Sequence, residues 1–399
     1  MKDLKRIIQE KTDEILPQAI QWRREFHQNP ELSACEFETA EKISSLLDEF
    51  GILHQKGLAG TGIVGIIKGE KGEGKTIALR ADMDALPIIE TSGLGYASKN
   101  EGVMHACGHD MHIASLLAVV KILNSLKSEF SGNIKFIFQP SEEKYPGGAI
   151  QMIEQGVLEN PKVDMILGMH VMPELPCGVA GFKTEKYMAS TDEIYITVCG
   201  KGGHAANPQQ NIDPIVIGSQ IVLALQQLVS RYASPNIPTV LSFGKFIGDG
   251  RTNIIPDNVK IEGTLRTFDE KWRAKAHELI HQIAENTALA MGASCDVFID
   301  KGYPFLYNNP ELTTAVKKSA MEFLGEENIV DMDLRMTAED FAYFAEHVPA
   351  CFYRIGVGFP NGEKYNLHAS NFTLNEEAMR NAIGVMVWST LKGVLEGEL

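Results

Sequence analysis

The sequence predicts an α/β protein whose mostly parallel, helix-covered sheet is interrupted by a smaller inserted α+β domain. Three observations carry this. The 399 residues exceed what one core commonly organises. In the first part, short β-prone runs alternate with helical patterns, as in a parallel sheet with helices on both faces. In the middle, the order changes to strand, helix, strand, strand, helix, strand, the split arrangement of ferredoxin-like domains.

Taken in order, Thr76 to Arg80 is a β-prone run ending in Ala81-Asp82-Met83-Asp84. Ile113 to Leu126 has apolar residues at helical spacing. Ile134 to Phe138 is a strand running into Gln139-Pro-Ser-Glu-Glu143, and Val163 to Met169 is another, ending at His170. Glu193 to Cys199 alternates as a half-buried strand does. Pro214 to Ser230 is a helix with an aliphatic face, and Thr239 to Ile247 and Val259 to Phe268 are strands. Glu270 to Met291 is a long amphipathic helix, and Cys295 to Asp300 closes the insert as a strand. From Pro310 the alternation resumes, with a helix over Met336 to His347 and a strand over Cys351 to Ile355. The larger domain is therefore expected over 1–183 and 301–399, and the inserted one over 184–300.

Apolar residues make up 44% and charged residues 22%, which excludes a disordered or fibrous chain. The formal net charge of -15 repels phosphate backbones and anionic membranes, so neither nucleic acid nor a membrane is expected as a partner. Met1 to Ile20 interleaves Lys, Asp and Glu with Leu and Ile and lacks the apolar core of a signal peptide. No apolar run is long enough to span a bilayer. A cytoplasmic protein is expected, with its six cysteines as thiols.

Three expected strands of the larger domain end in metal-competent residues: Asp82 and Asp84, Glu142 and Glu143, and His170. In open α/β sheets, sites form at the carboxyl ends of strands. Between the first two lies His105-Ala-Cys107-Gly108-His109-Asp110-Met-His112, where a bent glycine-containing loop can aim Cys107 and His109 at one ion. Alone, these histidines are equally well a polar helix entry. Together with Glu143 and His170 they suit a borderline divalent metal. The neighbouring carboxylates of Glu142 and Glu143 repel unless a cation or proton lies between them. With one on a metal, the other is free to take a proton from metal-bound water, as amide hydrolysis requires.

The chain resembles the aminoacylase and carboxypeptidase family of metal-dependent amidohydrolases over nearly its whole length. It is most similar to the branch of hippurate hydrolases, N-acetyl-amino-acid deacetylases and plant auxin-conjugate hydrolases. The matching motifs are Trp22-Arg-Arg-Glu-Phe-His27 with Asn29-Pro-Glu31, Arg80-Ala-Asp-Met-Asp84-Ala-Leu-Pro87, His105-Ala-Cys-Gly-His-Asp110 and Gln139-Pro-Ser-Glu-Glu143. They continue through Gly202-Gly-His-Ala-Ala206, Asn253-Ile-Ile-Pro-Asp257, Gly263-Thr-Leu-Arg-Thr-Phe268, Ala338-Glu-Asp340-Phe341 and Leu367-His368. Where much of the wider family has His-x-Asp, this chain has Asp82, and Cys107 falls where an aspartate commonly bridges two metals.

The resemblance implies two divalent ions, zinc, manganese, cobalt or nickel, held by Cys107, His109, Glu143, His170 and His368. It implies Glu142 as the base that activates a metal-bridging water, and Asp84 as the carboxylate orienting a metal-binding histidine. It makes the insert a lid and dimerisation domain, with His204 stabilising the oxyanion and Asn253 and Arg266 binding the substrate's polar groups. The substrate would be a small N-acylated amino acid or similar conjugate, and the protein a homodimer. A dipeptidase or carboxypeptidase would use the same site. A metal-binding protein without catalysis would lack Glu142 or a ligand, and all are present.

Overall fold

The computed structural model of the protein describes residues 2–396. Every residue of the strand Thr76–Asp82 is buried, as a strand covered on both faces must be. It lies inside an eight-stranded sheet in the order His54–Leu58, Gly62–Lys68, Asn133–Gln139, Thr76–Asp82, Met165–Pro176, Ala350–Gly358, Ala180–Phe182, Ile329–Asp331. The four central strands, Asn133–Gln139 to Ala350–Gly358, run parallel, and so do the last two. The remaining pairings are antiparallel, so the sheet is mixed but mostly parallel.

Alternation along the strands sends residues to two cores. Ile77, Leu79 and Ala81 join Phe136, Leu167 and Tyr353 in one cluster with the helices Lys2–Gln28, His109–Ser125 and Ala378–Glu396. On the other face Phe341 packs on Phe352 with ring centroids 5.0 Å apart. Gly168 is required there, because a Cβ would stand 2.8 Å from both rings.

Local expectations from sequence are corrected in three places. His170 does not end its strand: Met165–Pro176 continues six residues beyond it, kept extended by its parallel partner Ala350–Gly358. The helix expected near Ile113 begins at His109, so His109 and His112 occupy its first turn rather than a loop. The helix expected over Met336 to His347 is confined to Ala342–His347. Before it, backbone groups are used across the chain instead: the carbonyls of Arg335 and Thr337 accept from Ala189 N. Side-chain spacing cannot register such competition.

The chain divides into two compact units. One takes the residues up to Tyr187, Tyr307–Asp333 and those from Asp340 on; the other is Met188–Leu306 with Leu334–Glu339. The second unit holds a four-stranded antiparallel sheet in the order Thr239–Ile247, Asn258–Thr267, Asp192–Cys199, Ser294–Lys301. The helices Pro214–Gln227 and Glu270–Ala290 cover one face, over a core of Ile194, Ile196, Ile221, Ile261 and Ile280. Asp213 and Asp269 cap them by accepting from the first-turn amides. Buried Arg273 ties this unit's entry and exit together: it pairs with Asp192 and donates to the carbonyls of Thr191 and Gly302 at 2.9 and 2.8 Å. No helix among the described residues is long and apolar enough to cross a membrane, and the six cysteines are free thiols.

Candidate metal centre

Arg80 and Asp82 are two residues apart on a strand and so share a face. The Arg80 guanidinium donates to Asp82 at 2.5 Å, to Gln139 Oε1 at 2.8 Å and to Asp340 Oδ1 at 2.9 Å. The other Asp82 oxygen accepts from His112 Nδ1 at 2.6 Å. Burial works against the Asp82 charge, but His109, His112 and Arg80 outweigh it and hold the carboxyl well below its usual range. His112 Nε2 accepts the Val171 amide at 3.0 Å. Both its ring nitrogens are therefore engaged, and His112 is a brace between two strands rather than a ligand.

Gly108 starts the helix His109–Ser125 in the left-handed region, at φ 85°. A Cβ there would come 2.6 Å from Val171 Cγ2, so only glycine allows the bend that aims Cys107 and His109 inward together. His109 Nδ1 donates to the backbone oxygen of Asp84 at 2.9 Å, with the Asp84 carboxylate at 3.4 Å. The bond that sets this ring thus comes from the Asp84 carbonyl, with the carboxylate in support. Asp84 Oδ2 accepts from Glu143 N at 2.9 Å and from Ser33 Oγ at 2.6 Å.

His109 Nε2 is left buried and without a hydrogen-bond partner, and so is Glu143 Oε1, 3.9 Å away. His368, at φ 62°, is anchored by its amide to Ala106 O and brings Nε2 to 3.3 Å from Glu143 Oε1. His170 Nδ1 donates to Val171 O, which leaves Nε2 with its lone pair 3.3 Å from Cys107 Sγ. Two sets share the thiol: Cys107, His109 and His170, and Cys107, Glu143 and His368, with the donor atoms of each set within 4.8 Å of one another. Glu142 is buried beside them, its carboxylate within the same distance of His109 and Glu143.

The charge balance of this cluster is that of a cation site. Burial pushes the Cys107 thiol well up, and Glu143, Glu142 and Asp82 push it further. Burial also disfavours a charged His109, yet Asp82, Asp84 and Glu143 overcome it and raise the imidazole to about 10. Burial, then Arg354, holds His170 well below its ordinary value, so its lone pair is free to bind. Carboxylates around one ring and one thiol call for positive charge, and the unpartnered Nε2 and Oε1 mark where it fits. Mixed N, O and S donors in two overlapping sets fit two borderline divalent ions.

The structure thus brings Cys107, His109, Glu143, His170 and His368 together, with Asp84 and Glu142 against them. His204, Asn253 and Arg266 lie in the second unit. His204 pairs with Ile254 on a two-stranded ribbon, and Ala205 N donates to Asn253 O, so His204 and Asn253 are neighbours. Both side chains are exposed. His204 Nδ1 accepts the Ala206 amide at 3.1 Å, which leaves the proton of the neutral ring on Nε2, as a donor. Arg266 is half-buried on Asn258–Thr267, with Nε on Thr264 Oγ1 at 3.2 Å. Sequence reasoning missed the bracing roles of Arg80, His112 and Asp340. For Arg80 a signal existed, its position two residues before Asp82; for Asp340, 260 residues away from Arg80, local sequence held none.

Residues 78–389 match peptidase family M20/M25/M40. The chain is 40% identical to an N-acetyl-L-cysteine deacetylase of Bacillus subtilis, over 92% of this chain and 85% of that protein. It is 39% identical to thermostable carboxypeptidase 2 of Saccharolobus solfataricus, over 95% and 96% of the two chains. Among solved structures, it resembles a dinuclear metal-binding M20-family peptidase of Bacillus subtilis with a TM-score of 0.82 and 35% identity, over 96% of this chain and 99% of that one.

Proposed function

The chain belongs to peptidase family M20/M25/M40, and from that premise we propose that it is an amidohydrolase cleaving the amide bond of N-acyl amino acids or similar conjugates. The observation that carries this is the pairing of two adjacent carboxylates with different surroundings. Glu143 Oε1 faces His109 and His368 without a hydrogen bond, as a ligand would, while Glu142 stands beside it as the proton carrier. The named deacetylase relative supports the acyl-amino-acid class.

Two divalent ions, when bound, supply the charge that polarises the scissile carbonyl and acidifies a water. Cys107, His109, Glu143, His170 and His368 would hold them. Glu142 takes a proton from the attacking water as its oxygen bonds to the carbonyl carbon. The same proton passes to the leaving nitrogen as the C–N bond breaks, giving a carboxylic acid and an amino acid. Asp84 keeps the His109 ring in the tautomer whose Nε2 can bind.

The Met188–Leu306 unit is read as a ferredoxin-like lid that also forms a homodimer. Its edge strand Thr239–Ile247 exposes Phe246 and Ile247, and the helix Pro214–Gln227 exposes Val216 and Leu223. An unpaired apolar edge beside an apolar helix face favours pairing with a second copy. Asn253 and Arg266 are proposed to hold the substrate's polar groups, and the free thiols accord with a cytoplasmic setting.

The test is a substrate panel. Protein reconstituted separately with zinc, manganese, cobalt and nickel is given N-acetyl and N-benzoyl amino acids alongside dipeptides with a free amino terminus. Faster release of amino acid from the acylated compounds is expected. Turnover of the dipeptides alone would replace this reading with that of the carboxypeptidase relative.

His204 is proposed as the donor to the oxyanion. Its replacement by alanine is expected to lower kcat by about 10² to 10³-fold, with metal content retained. If the histidine serves the partner's site, mixing His204→Ala with Glu142→Ala subunits restores activity in the heterodimers. An unaltered kcat in His204→Ala would remove this residue from the reaction.

A further inference from the structure

We propose that Glu36 is a positioning residue for Glu142. It acts through the backbone of Ser141 and rests on the reading of Glu142 as the base. Glu36 stands at the N-terminal boundary of the helix Phe37–Glu49, but its side chain makes no capping bond to that helix. The residue is wholly buried, and its carboxylate points elsewhere. Oε1 accepts from Ser141 N at 2.8 Å, with Ser141 Oγ at 3.4 Å, and Oε2 accepts from Thr61 Oγ1 at 2.8 Å.

Ser141 needs such a hold. It leaves the strand Asn133–Gln139 at φ 57°, in the left-handed region that residues other than glycine adopt only with strain. That conformation turns the chain so that Glu142 and Glu143 follow at the strand's carboxyl end. On the other side of Glu142, the amide of Glu143 donates to Asp84 Oδ2 at 2.9 Å. The N–H groups before and after the base are therefore each gripped by a buried carboxylate, one from Glu36 and one from Asp84. Ser33, three residues before Glu36, holds the same Asp84 oxygen at 2.6 Å. One short segment of the chain, Ser33 to Glu36, thus braces both grips. A carboxylate accepting a buried amide makes a strong, directional bond, so it fixes the angle at which the next side chain leaves the backbone.

The test compares Glu36→Ala with Glu36→Gln in the metal-loaded protein on the N-acyl amino acid that wild type turns over best. Alanine leaves the Ser141 amide without its acceptor, and a misplaced base is expected to cost roughly 10²-fold in kcat. KM and metal content should stay near wild type, since Glu36 reaches neither substrate nor ion. Glutamine keeps the oxygen that accepts from Ser141 and turns its NH2 toward Thr61, whose hydroxyl can rotate to accept, so it should return most of the lost kcat. Where Glu36→Ala does not fold, Thr61→Val carries the test: it frees one Glu36 oxygen at nearly constant volume and is expected to lower kcat by a smaller factor. A wild-type kcat in Glu36→Ala, or in Thr61→Val where alanine does not fold, overturns the proposal. So does a loss in alanine that glutamine fails to repair. Those results leave the amidohydrolase reading standing, whereas a wild-type protein inactive on every acylated compound overturns both.

Discussion

Glu142→Gln is expected to lower kcat by about 10² to 10⁴-fold, the usual worth of a positioned general base. The substitution keeps the shape of the side chain and removes its ability to take a proton. Metal content should be unchanged, because of the two donor sets that share Cys107 one has no carboxylate and the other takes its carboxylate oxygen from Glu143, not Glu142. Glu143→Gln is the necessary control. There the amide would replace the Oε1 that lies 3.3 Å from His368 Nε2 and 3.9 Å from His109 Nε2, and bound metal should fall along with activity. Metal analysis and kcat on the same preparations separate the two effects. If Glu142→Gln loses metal while Glu143→Gln keeps it, the two roles are reversed.

Removing the metals is expected to abolish turnover altogether. Without a cation, the thiol of Cys107 and the ring of His109 stand among carboxylates with no group to polarise a carbonyl. Exhaustive chelation followed by dialysis should yield an inactive protein, and addition of one divalent ion at a time should restore activity to different extents. Cys107→Ser should lose more activity with zinc than with manganese, because oxygen suits the harder ion and sulfur the softer one. Because both donor sets use Cys107, this single change should lower the occupancy of two sites together rather than of one. Full activity after verified removal of all divalent metal would end the metal-centre reading.

Part of the proposed ligand set was legible in the residues for a physical reason: Cys107, His109 and Glu143 lie beside local features. Glu143 follows the strand Asn133–Gln139, and Cys107 and His109 flank the one glycine whose φ of 85° permits their bend. The alternation of strands and helices was legible too, because periodicity reports which face of an element is buried. It does not report where an element stops. The strand through His170 continues to Pro176 because Ala350–Gly358 lies beside it, a neighbour about 180 residues on in the chain.

Residues alone also left open which of Glu142 and Glu143 binds and which carries protons, since two adjacent carboxylates are locally equivalent. The proposed division between them rests on partners that the fold delivers: His109 and His368 converge on Glu143 Oε1. Likewise, residue type does not tell His112 from His109; in the fold Asp82 and Val171 occupy both nitrogens of His112. Glu36, 105 residues from Ser141, gave no signal at all. What the sequence by itself determined is the inventory of groups able to bind and to move protons, because that is set by residue type and local spacing. Which lone pairs remain free, and how firmly each is held, only the tertiary structure decided, because a hydrogen bond is settled by whichever donor or acceptor the packing brings within about 3 Å.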